Sequence, residues 1–207
     1  PADEGCTMIE IKNLSKKFGK LTVLDQLDLS IDEGGIFAVL GPNGSGKTTL
    51  IKCILGMVIP DSGNILIQNE SVLKNWAYRN DINYLPQIAN FPANLTVKEL
   101  LAMVKNLRPK PASEERLIDL FGLQPFLDKK LGYLSGGTKQ KVNLVLTFMF
   151  DSKLFILDEP TNGLDPVSLI RLKGLIAEEK KKGKTILITT HIMSLVEEIA
   201  DEIVFLL

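Results

Sequence analysis

A glycine-rich loop between an apolar segment and a helical pattern constrains the fold more than any other feature of this sequence. Residues 41–48 read GPNGSGKT and fit the pattern G-x-x-x-x-G-K-[ST]. The preceding residues 36–40 are wholly apolar, which is typical of a short buried strand, and apolar residues recur at helical spacing from Leu50 to Leu55. In this setting backbone N–H groups and a helix N-terminus converge on an anion. The sequence therefore predicts a phosphate-binding loop in an α/β fold.

Two side chains of the loop have chemistry that suits a nucleoside triphosphate. Lys47 is placed to reach the β and γ phosphates, and the hydroxyl of Thr48 is placed to ligate Mg²⁺. A glycine-rich turn without function is the alternative, but the complete pattern and its strand-to-helix setting together favour phosphate binding. The predicted ATP-binding segment comprises Gly41, Pro42, Asn43, Gly44, Ser45, Gly46, Lys47, Thr48 and Thr49.

The periodicity of the rest of the chain predicts a small antiparallel layer followed by a mainly parallel sheet. Polar and apolar residues alternate between Ile9 and Ile31, as they do in half-exposed antiparallel strands. Because strands then alternate with helices, the larger sheet is expected to be parallel. Further strands are predicted near residues 63–68, where the alternation of polar and apolar residues returns, and near residues 82–85, 154–157 and 185–190.

A helical segment interrupts this alternation between Gln87 and Ser135. Thr96 and Glu99 fit a capping box at the start of an apolar helix face. A second helix is predicted from residue 113 to 121, where Gly122 is placed to end it. We expect residues 88–134 to form part of a helical subdomain.

An acidic pair follows the apolar strand 154–157. Asp158 is expected to hold Mg²⁺ through water, and Glu159 is positioned as the general base for the water that attacks the γ-phosphate. Taken alone, such a pair is more often a loop surface or a helix cap. In combination with the phosphate loop, at the sheet edge where ligands bind, it favours a catalytic role.

Residues 134–140, which read LSGGTKQ, open another helix. Ser135 occupies an N-cap position, and Gly136 and Gly137 fall in the first turn. Two glycines there are costly unless backbone must approach something closely, so a plain helix cap is the weaker interpretation. A second anion-facing helix start that does not reach the same nucleotide indicates the ATP of a partner molecule.

Composition excludes several classes of protein. A formal net charge of −1 over 207 residues gives no general attraction to polyanions, so no nucleic-acid partner is expected. The two cysteines, Cys6 and Cys53, are too few for a disulfide framework and indicate a reducing compartment. The uncharged run 142–150 is far shorter than the about 20 residues of a spanning helix. The chain is not expected to cross a membrane by itself.

Together these motifs resemble the ordered motif set of ABC ATPases. The resemblance rests on the phosphate loop, residues 134–140 and 154–159, the sequence Gly163-Leu-Asp165, and the single residues Gln87 and His191, and it spans nearly the whole chain. It implies a P-loop NTPase core with a mainly parallel sheet, an N-terminal antiparallel β-layer and an inserted helical subdomain. It also implies a MgATP-hydrolysing transporter subunit of the small exporter type.

The resemblance assigns further roles. Gln87 would sense Mg²⁺ and the attacking water, and would share the metal with Thr48 and Asp158. His191 would contact the γ-phosphate, and Asp165 would communicate across a dimer. The implied catalytic set is Lys47, Gln87, Glu159 and His191, and the implied metal set is Thr48, Gln87 and Asp158.

Two positions need separate comment. Phe18 resembles the aromatic residue that stacks on adenine in this family, although an apolar residue at a strand end is the alternative interpretation. Thr138 and Lys139 depart from the family's signature, which often carries glutamine there. Because Ser135 and both glycines are retained, we expect the ATP contacts to be intact.

The implied assembly is a head-to-tail homodimer or heterodimer of ATPase domains, bound to integral-membrane subunits on the cytoplasmic face of the membrane. The segment after Gln87 would touch those subunits. A soluble ABC ATPase of a cluster-assembly system is the alternative, since it too is a single small cassette. DNA-repair and translation relatives are disfavoured because neither a coiled coil nor a second cassette is seen, and a noncatalytic regulatory module is disfavoured by Glu159 and His191.

The expected boundaries are simple. Residues 1–7 lack the features of a signal peptide and are expected to be a remnant ahead of a natural start at Met8, and residues 8–207 are expected to form one ATPase domain. The chain reaches Leu207 within an apparent strand, where many members of the family continue into further β-structure.

Overall fold

Two sheets organise the chain, and the computed structural model describes them within residues 6–207. The strands are β1 (Thr7–Phe18), β2 (Leu21–Asp32), β3 (Gly35–Leu40), β4 (Ser62–Ile67), β5 (Glu70–Ser71), β6 (Ile82–Leu85), β7 (Leu154–Asp158), β8 (Thr185–Thr190) and β9 (Glu202–Phe205). The α-helices are α1 (Lys47–Ile54), α2 (Val97–Leu107), α3 (Glu114–Leu120), α4 (Gly136–Phe148), α5 (Pro166–Lys181) and α6 (Met193–Ile199). Short 3₁₀ turns lie at Ala77–Asp81, Gln124–Phe126 and Leu131–Tyr133.

The smaller sheet is antiparallel, as the alternating pattern of the first residues predicts. Its strand order is β2-β1-β4-β5. Ile9, Ile11 and Leu14 of β1 are buried, whereas Lys12 and Asn13 are exposed. One face of the layer therefore packs on the core while the other meets water.

The larger sheet has the order β6-β7-β8-β3-β9, and each pair of neighbours is parallel. Every residue of β7 and β8 is buried. Because helices and the antiparallel layer cover both faces of this sheet, its central strands do not alternate between buried and exposed residues. The predicted α/β fold with a mainly parallel sheet is confirmed.

Two apolar clusters lie on opposite faces of the parallel sheet, because successive residues of a strand point to opposite sides. Phe155 and Leu157 of β7 belong to the cluster that includes α2, α3, α4 and α5. Leu154 and Ile156 of the same strand belong to the cluster shared with α1 and the antiparallel layer. The sheet is thus packed from both sides.

Capping chemistry sets the predicted helix starts. The side chain of Thr96 accepts from the backbone N–H of Glu99, and the Glu99 carboxylate accepts from that of Thr96, so the capping box before α2 is confirmed. Asp165 caps α5, whose first residue is Pro166, and Gly122 follows α3 with a φ of 65°. The predicted capping box at Thr96 and the predicted helix end at Gly122, which depend on local contacts alone, are confirmed.

A β-strand lies close to each end of the described chain. The expectation for residues 1–7 concerns mainly residues 1–5, which lie outside the described part, and β1 begins at Thr7. The last strand ends at Phe205, so Leu207 lies beyond it.

Cys6 and Cys53 are free thiols. Among the helices of residues 6–207, none combines the length and the apolar character that a bilayer crossing requires.

Candidate functional site

The carboxyl edge of the parallel sheet brings four predicted segments together. The phosphate loop follows β3, Glu159 follows β7, His191 follows β8, and Gln87 lies two residues after β6. Because these strands are parallel and lie in the order β6-β7-β8-β3, their carboxyl ends meet at one edge. A cavity of about 310 Å³ opens there, lined by Val23, Asn43, Gly44, Gly46, Lys47, Thr48, Thr49, Gln87 and Glu159.

The glycines of the loop are required by its backbone and by close packing. Gly44 and Gly46 have φ values of 86° and 97°, in the left-handed region that favours glycine. A Cβ on Gly41 would lie 2.2 Å from the carbonyl oxygen of Leu206 and 2.6 Å from Oγ of Ser45. That hydroxyl is buried and has no partner among the described residues, so it can donate to a phosphate oxygen. The loop therefore fits a phosphate group.

Lys47 is held inside the loop. Its Nζ donates to the carbonyl oxygens of Gly41 at 2.7 Å and Pro42 at 2.9 Å, and lies 3.7 Å from Oε1 of Glu159. Only 6% of the residue is exposed. A buried ammonium that is held by two neutral carbonyl groups, with its nearest carboxylate 3.7 Å away, can still interact strongly with an anionic ligand in the cavity.

Thr48 and Asp158 place two oxygen atoms side by side. Oγ1 of Thr48 donates to Oδ2 of Asp158 at 2.9 Å, and Oγ1 of Thr189 donates to Oδ1 of Asp158 at 2.5 Å. Mg²⁺ prefers oxygen ligands and usually keeps water or phosphate oxygens for its other positions. This pair fits such an ion, although no group of three or more histidine, cysteine, aspartate and glutamate side chains gathers for a metal within residues 6–207.

The phenol of Tyr84 faces the same acidic group from the neighbouring strand β6. Burial, and then the charge of Asp158, raise the pKa of Tyr84 to about 12. The phenol therefore stays neutral throughout the physiological range and adds no charge beside Thr48 and Asp158.

Glu159 and His191 form a contact that sequence alone does not indicate. Nδ1 of His191 lies 3.0 Å from both carboxylate oxygens of Glu159. An ionised carboxylate only accepts, so Nδ1 carries the hydrogen in this contact and Nε2 is the ring atom left for a ligand. Glu159 is buried, with 3% of its side chain exposed, whereas 42% of the His191 side chain is exposed.

Of the two predicted ligand contacts Gln87 and Phe18, only Gln87 lines the cavity. Gln87 lines the cavity, as its assigned role requires. Phe18 is half-exposed at the end of β1, with Nζ of Lys16 5.3 Å from its ring centroid, and is not among the residues that line the cavity. Val23 of β2 lines it instead, and its carbonyl oxygen would lie 2.9 Å from a Cβ on Gly46. Adenine stacking on Phe18 stays a prediction.

The helix start at Ser135 lies outside this cavity. Ser135 caps α4 by accepting from the backbone N–H of Thr138 at 3.2 Å. A Cβ on Gly136 would meet no atom within 4 Å, whereas a Cβ on Gly137 would lie 2.6 Å from the carbonyl oxygen of Gly163. The two glycines thus differ: Gly136 faces open space, and Gly137 permits close packing within the chain itself.

Asp165 lies close to the same helix. Its carboxylate caps α5 at Ser168 and lies 2.7 Å from Nζ of Lys141 in α4. The hydrogen bond from Lys141, and next those from Ser168, hold the pKa of Asp165 well below its usual range. Asp165 therefore remains ionised and links the start of α5 to α4.

Sequence reasoning missed three residues around the site. Thr189 contacts Asp158 because the two are register partners on β8 and β7, and the sequence does not show this register. Val23 reaches the loop because β2 passes over it, although the alternation along β2 gives a weak signal. Lys141 could have been suspected only from its position one turn after Gly137.

Two family models match the chain, and they differ in how much of it they cover. The sequence model of the ABC transporter family matches residues 24–162, more than half of the chain. A second model, described as AAA domain, putative AbiEii toxin, Type IV TA system, matches residues 130–197.

Curated relatives cover nearly the whole chain. The lantibiotic transport ATP-binding protein SrtF of Streptococcus pyogenes is 35% identical over 205 residues, which is 96% of this chain and 86% of the relative. The bacitracin transport ATP-binding protein BcrA of Bacillus licheniformis is 36% identical over 202 residues, 95% of this chain and 66% of the relative. The Nod factor export ATP-binding protein I of Burkholderia orbicola is 36% identical over 205 residues, which is 94% of this chain and 66% of the relative.

Solved structures agree with this grouping. An ATP-binding subunit of an ABC transporter superposes with a TM-score of 0.89 at 33% identity, over 97% of this chain and 86% of the other. A nucleotide-free ATP-binding cassette from an ABC transporter superposes with a TM-score of 0.79 at 25% identity, over 97% and 87%.

Proposed function

Because this chain belongs to the ABC transporter family, we propose that it is the ATP-binding and ATP-hydrolysing subunit of a transporter, of the export kind. One observation carries this proposal: the phosphate loop, Gln87 and Glu159 line one cavity, and Thr48 of that loop donates to the buried Asp158 beside it. The curated relatives bear transport and export names, which favours a transporter over a soluble cluster-assembly ATPase.

The reaction is transfer of the γ-phosphoryl group of ATP to water. The water oxygen forms a bond to the γ-phosphorus as the bond between that phosphorus and the β,γ-bridging oxygen breaks, which yields ADP and phosphate. Glu159 accepts the proton of the attacking water, and Nδ1 of His191 keeps its carboxylate oriented. Lys47 stabilises the charge on the phosphate oxygens.

Thr48 and Asp158 would hold the Mg²⁺ that accompanies ATP, and Gln87, which lines the same cavity, would sense that ion and the attacking water. When bound, Mg²⁺ neutralises charge on the β and γ phosphates. Thr189 orients the Asp158 carboxylate for this role, because its hydroxyl donates to Oδ1, the oxygen that Thr48 does not contact.

Two copies of the domain assemble head to tail, as a homodimer or a heterodimer. Ser135, Gly136 and Gly137 of one copy complete the ATP site of the other. What supports this is that the helix start is exposed, carries a satisfied cap and lies outside the cavity of its own chain. Integral-membrane subunits bind the segment after Gln87, which places the domain on the cytoplasmic face of the membrane.

The substitution Gly136→Asp tests the composite site. A Cβ at Gly136 would meet no atom within 4 Å, so we expect the fold to be kept, but the new carboxylate would repel the phosphates of the partner's ATP. We expect the rate of ATP hydrolysis to fall at least about tenfold, which corresponds to an activation free energy raised by about 1.4 kcal/mol or more. The affinity of a single chain for ATP should not change. Steady-state hydrolysis and equilibrium binding of ATP measure the two quantities.

Gly174→Asp is the matched control. Gly174 is also a helical glycine with no atom within 4 Å of an added Cβ, but it lies in α5. It should retain full activity. Normal hydrolysis by Gly136→Asp would contradict a composite site built on this helix start. Gly137→Asp is less informative, because its side chain would strike Gly163 of the same chain.

A further inference from the structure

Helix α4 carries two buried amides on the face that meets the sheet edge. Gln140 and Asn143 are each only 4% exposed. They are three residues apart, so their side chains lie on the same face of the helix. Burying an amide is costly unless its hydrogen bonds are made, so their partners in the chain are informative.

Each amide contacts backbone beside a residue of the hydrolysis site. Nε2 of Gln140 donates to the carbonyl oxygen of Pro160 at 3.2 Å, and Pro160 immediately follows Glu159. Nδ2 of Asn143 donates to the carbonyl oxygen of Pro86 at 3.2 Å, and Pro86 immediately precedes Gln87. Because a carbonyl oxygen only accepts, each side chain must present its NH₂ group to the proline.

The two amides are also joined to each other. Nδ2 of Asn143 lies 3.4 Å from Oε1 of Gln140, so one continuous chain of hydrogen bonds runs from Pro86 to Pro160 through α4. The first turns of α4 make two further contacts with the loop after Glu159, between Gly137 and Gly163 and between Lys141 and Asp165. The helix therefore contacts both segments that carry site residues.

We propose that Gln140 and Asn143 are positioning residues that couple the start of α4 to Gln87 and Glu159 of the same chain. This inference rests on the proposed function. When Ser135, Gly136 and Gly137 engage the phosphates of a second copy, α4 becomes fixed, and the amide pair fixes the backbone on either side of the chain's own water-activating residues. Each chain then hydrolyses its own ATP at full rate only while its α4 is engaged by the partner.

The test removes each amide while keeping the volume of the side chain. Gln140→Met and Asn143→Leu are prepared singly and together, and the turnover number kcat, the KM and the dissociation constant for ATP are measured on folded protein. We expect each single variant to lose about tenfold in kcat with ATP affinity within about twofold of the parent. Since one broken link interrupts the whole chain, the double variant should lose no more than either single one.

Thr147→Val is the matched control. Thr147 is a buried polar residue one turn further along α4. Its hydroxyl donates mainly within the helix, to the carbonyl oxygen of Asn143 at 2.8 Å, whereas the carbonyl oxygen of Tyr84 on the sheet is 3.5 Å away. This variant should keep the parent kcat. Equilibrium unfolding of all variants separates stability from rate, and Asn143→Ala replaces Asn143→Leu if the latter does not fold.

The possible results are distinct. Single variants with the parent kcat, or losses that multiply in the double variant, overturn the coupling even if both variants are less stable. If the parent hydrolyses no ATP, or if its activity per chain does not rise with protein concentration, the proposed dimeric ATPase fails instead. A reduced kcat in both single variants, unchanged ATP affinity and a non-additive double variant support the inference.

Discussion

Glu159 has a backbone conformation that is uncommon for its residue type. Its φ is 48°, in the left-handed region, which costs about 1–3 kcal/mol for a residue other than glycine. The conformation is maintained because the backbone N–H of Glu159 donates to the carbonyl oxygen of Thr189 at 2.9 Å and its carboxylate is held by His191. This turn directs a carboxylate into the cavity immediately after a strand residue, Asp158, that is wholly buried.

Glu159→Gln removes the proton acceptor with little change in shape. We expect ATP turnover to fall by about 10²–10⁴-fold, the usual contribution of a general base, with ATP affinity nearly unchanged. Hydrolysis of radiolabelled ATP and equilibrium binding measure the two effects. Glu179→Gln is the control, since Glu179 is also a buried glutamate but pairs with Lys182 at the end of α5. Parent-like hydrolysis by Glu159→Gln would exclude Glu159 as the base.

At the scale of single elements, helix starts carry much of the site chemistry. The start of α1 follows the phosphate loop, the start of α4 is proposed to reach a second copy, and the start of α5 carries Asp165. Asp165 accepts from Ser168 and from Lys141, so one carboxylate both caps its own helix and holds the neighbouring one.

Lys141→Met should raise the pKa of Asp165. The folded-state pKa of this group lies below its unfolded value, so its contacts stabilise the fold above the unfolded pKa, and this contribution is lost as the pH falls through the folded pKa. Without Lys141, which is the largest cause of the lowered pKa, this contribution should be smaller, and its loss should be complete at a higher pH. A ¹³C NMR titration of the carboxyl carbons measures the shift. Lys182→Met, which removes a lysine that pairs with Glu179, should leave Asp165 unchanged. An unaltered Asp165 titration in Lys141→Met would contradict the assignment.

At the scale of the whole molecule, one apolar cluster connects the helical segment to the sheet. Leu100 and Leu117, in α2 and α3, share a cluster with Val142 of α4 and Phe155 of β7. The helices that follow Gln87 and the helix that follows Ser135 thus pack on one another as well as on the sheet. Because of this packing, a displacement of the segment after Gln87 would also displace α4.

The proposed membrane partner is testable with the intact chain in its host cell. We expect an integral-membrane protein to be recovered with it from detergent-solubilised membranes. Ile88, which follows Gln87 and is 75% exposed, is an apolar contact available to that partner, so Ile88→Lys should reduce the recovered partner by at least about tenfold. Ile170→Lys changes an equally apolar residue, 70% exposed, on α5, and should not. Recovery of soluble partners alone would favour a cluster-assembly role.

Local patterns determined the elements and the type of chemistry. The phosphate loop, the capping box at Thr96, the helix end at Gly122 and the buried strand before Asp158 all depend on residues within a few positions of each other. Such interactions are encoded by spacing and residue type, so the sequence alone predicts them. The α/β fold follows because strands and helices alternate along the chain.

Only the tertiary structure decided which side chains meet. The contacts of His191 with Glu159, of Thr189 with Asp158, and of Gln140 with Pro160 join segments separated in sequence. They depend on the strand order and register of the parallel sheet, and on how α4 packs against its edge, because the sheet can bring distant segments together in several ways that leave local patterns unchanged. For the same reason the spacing of residues predicts a phosphate site, while the hydrogen-bond partners that orient its carboxylates are fixed by packing between distant strands.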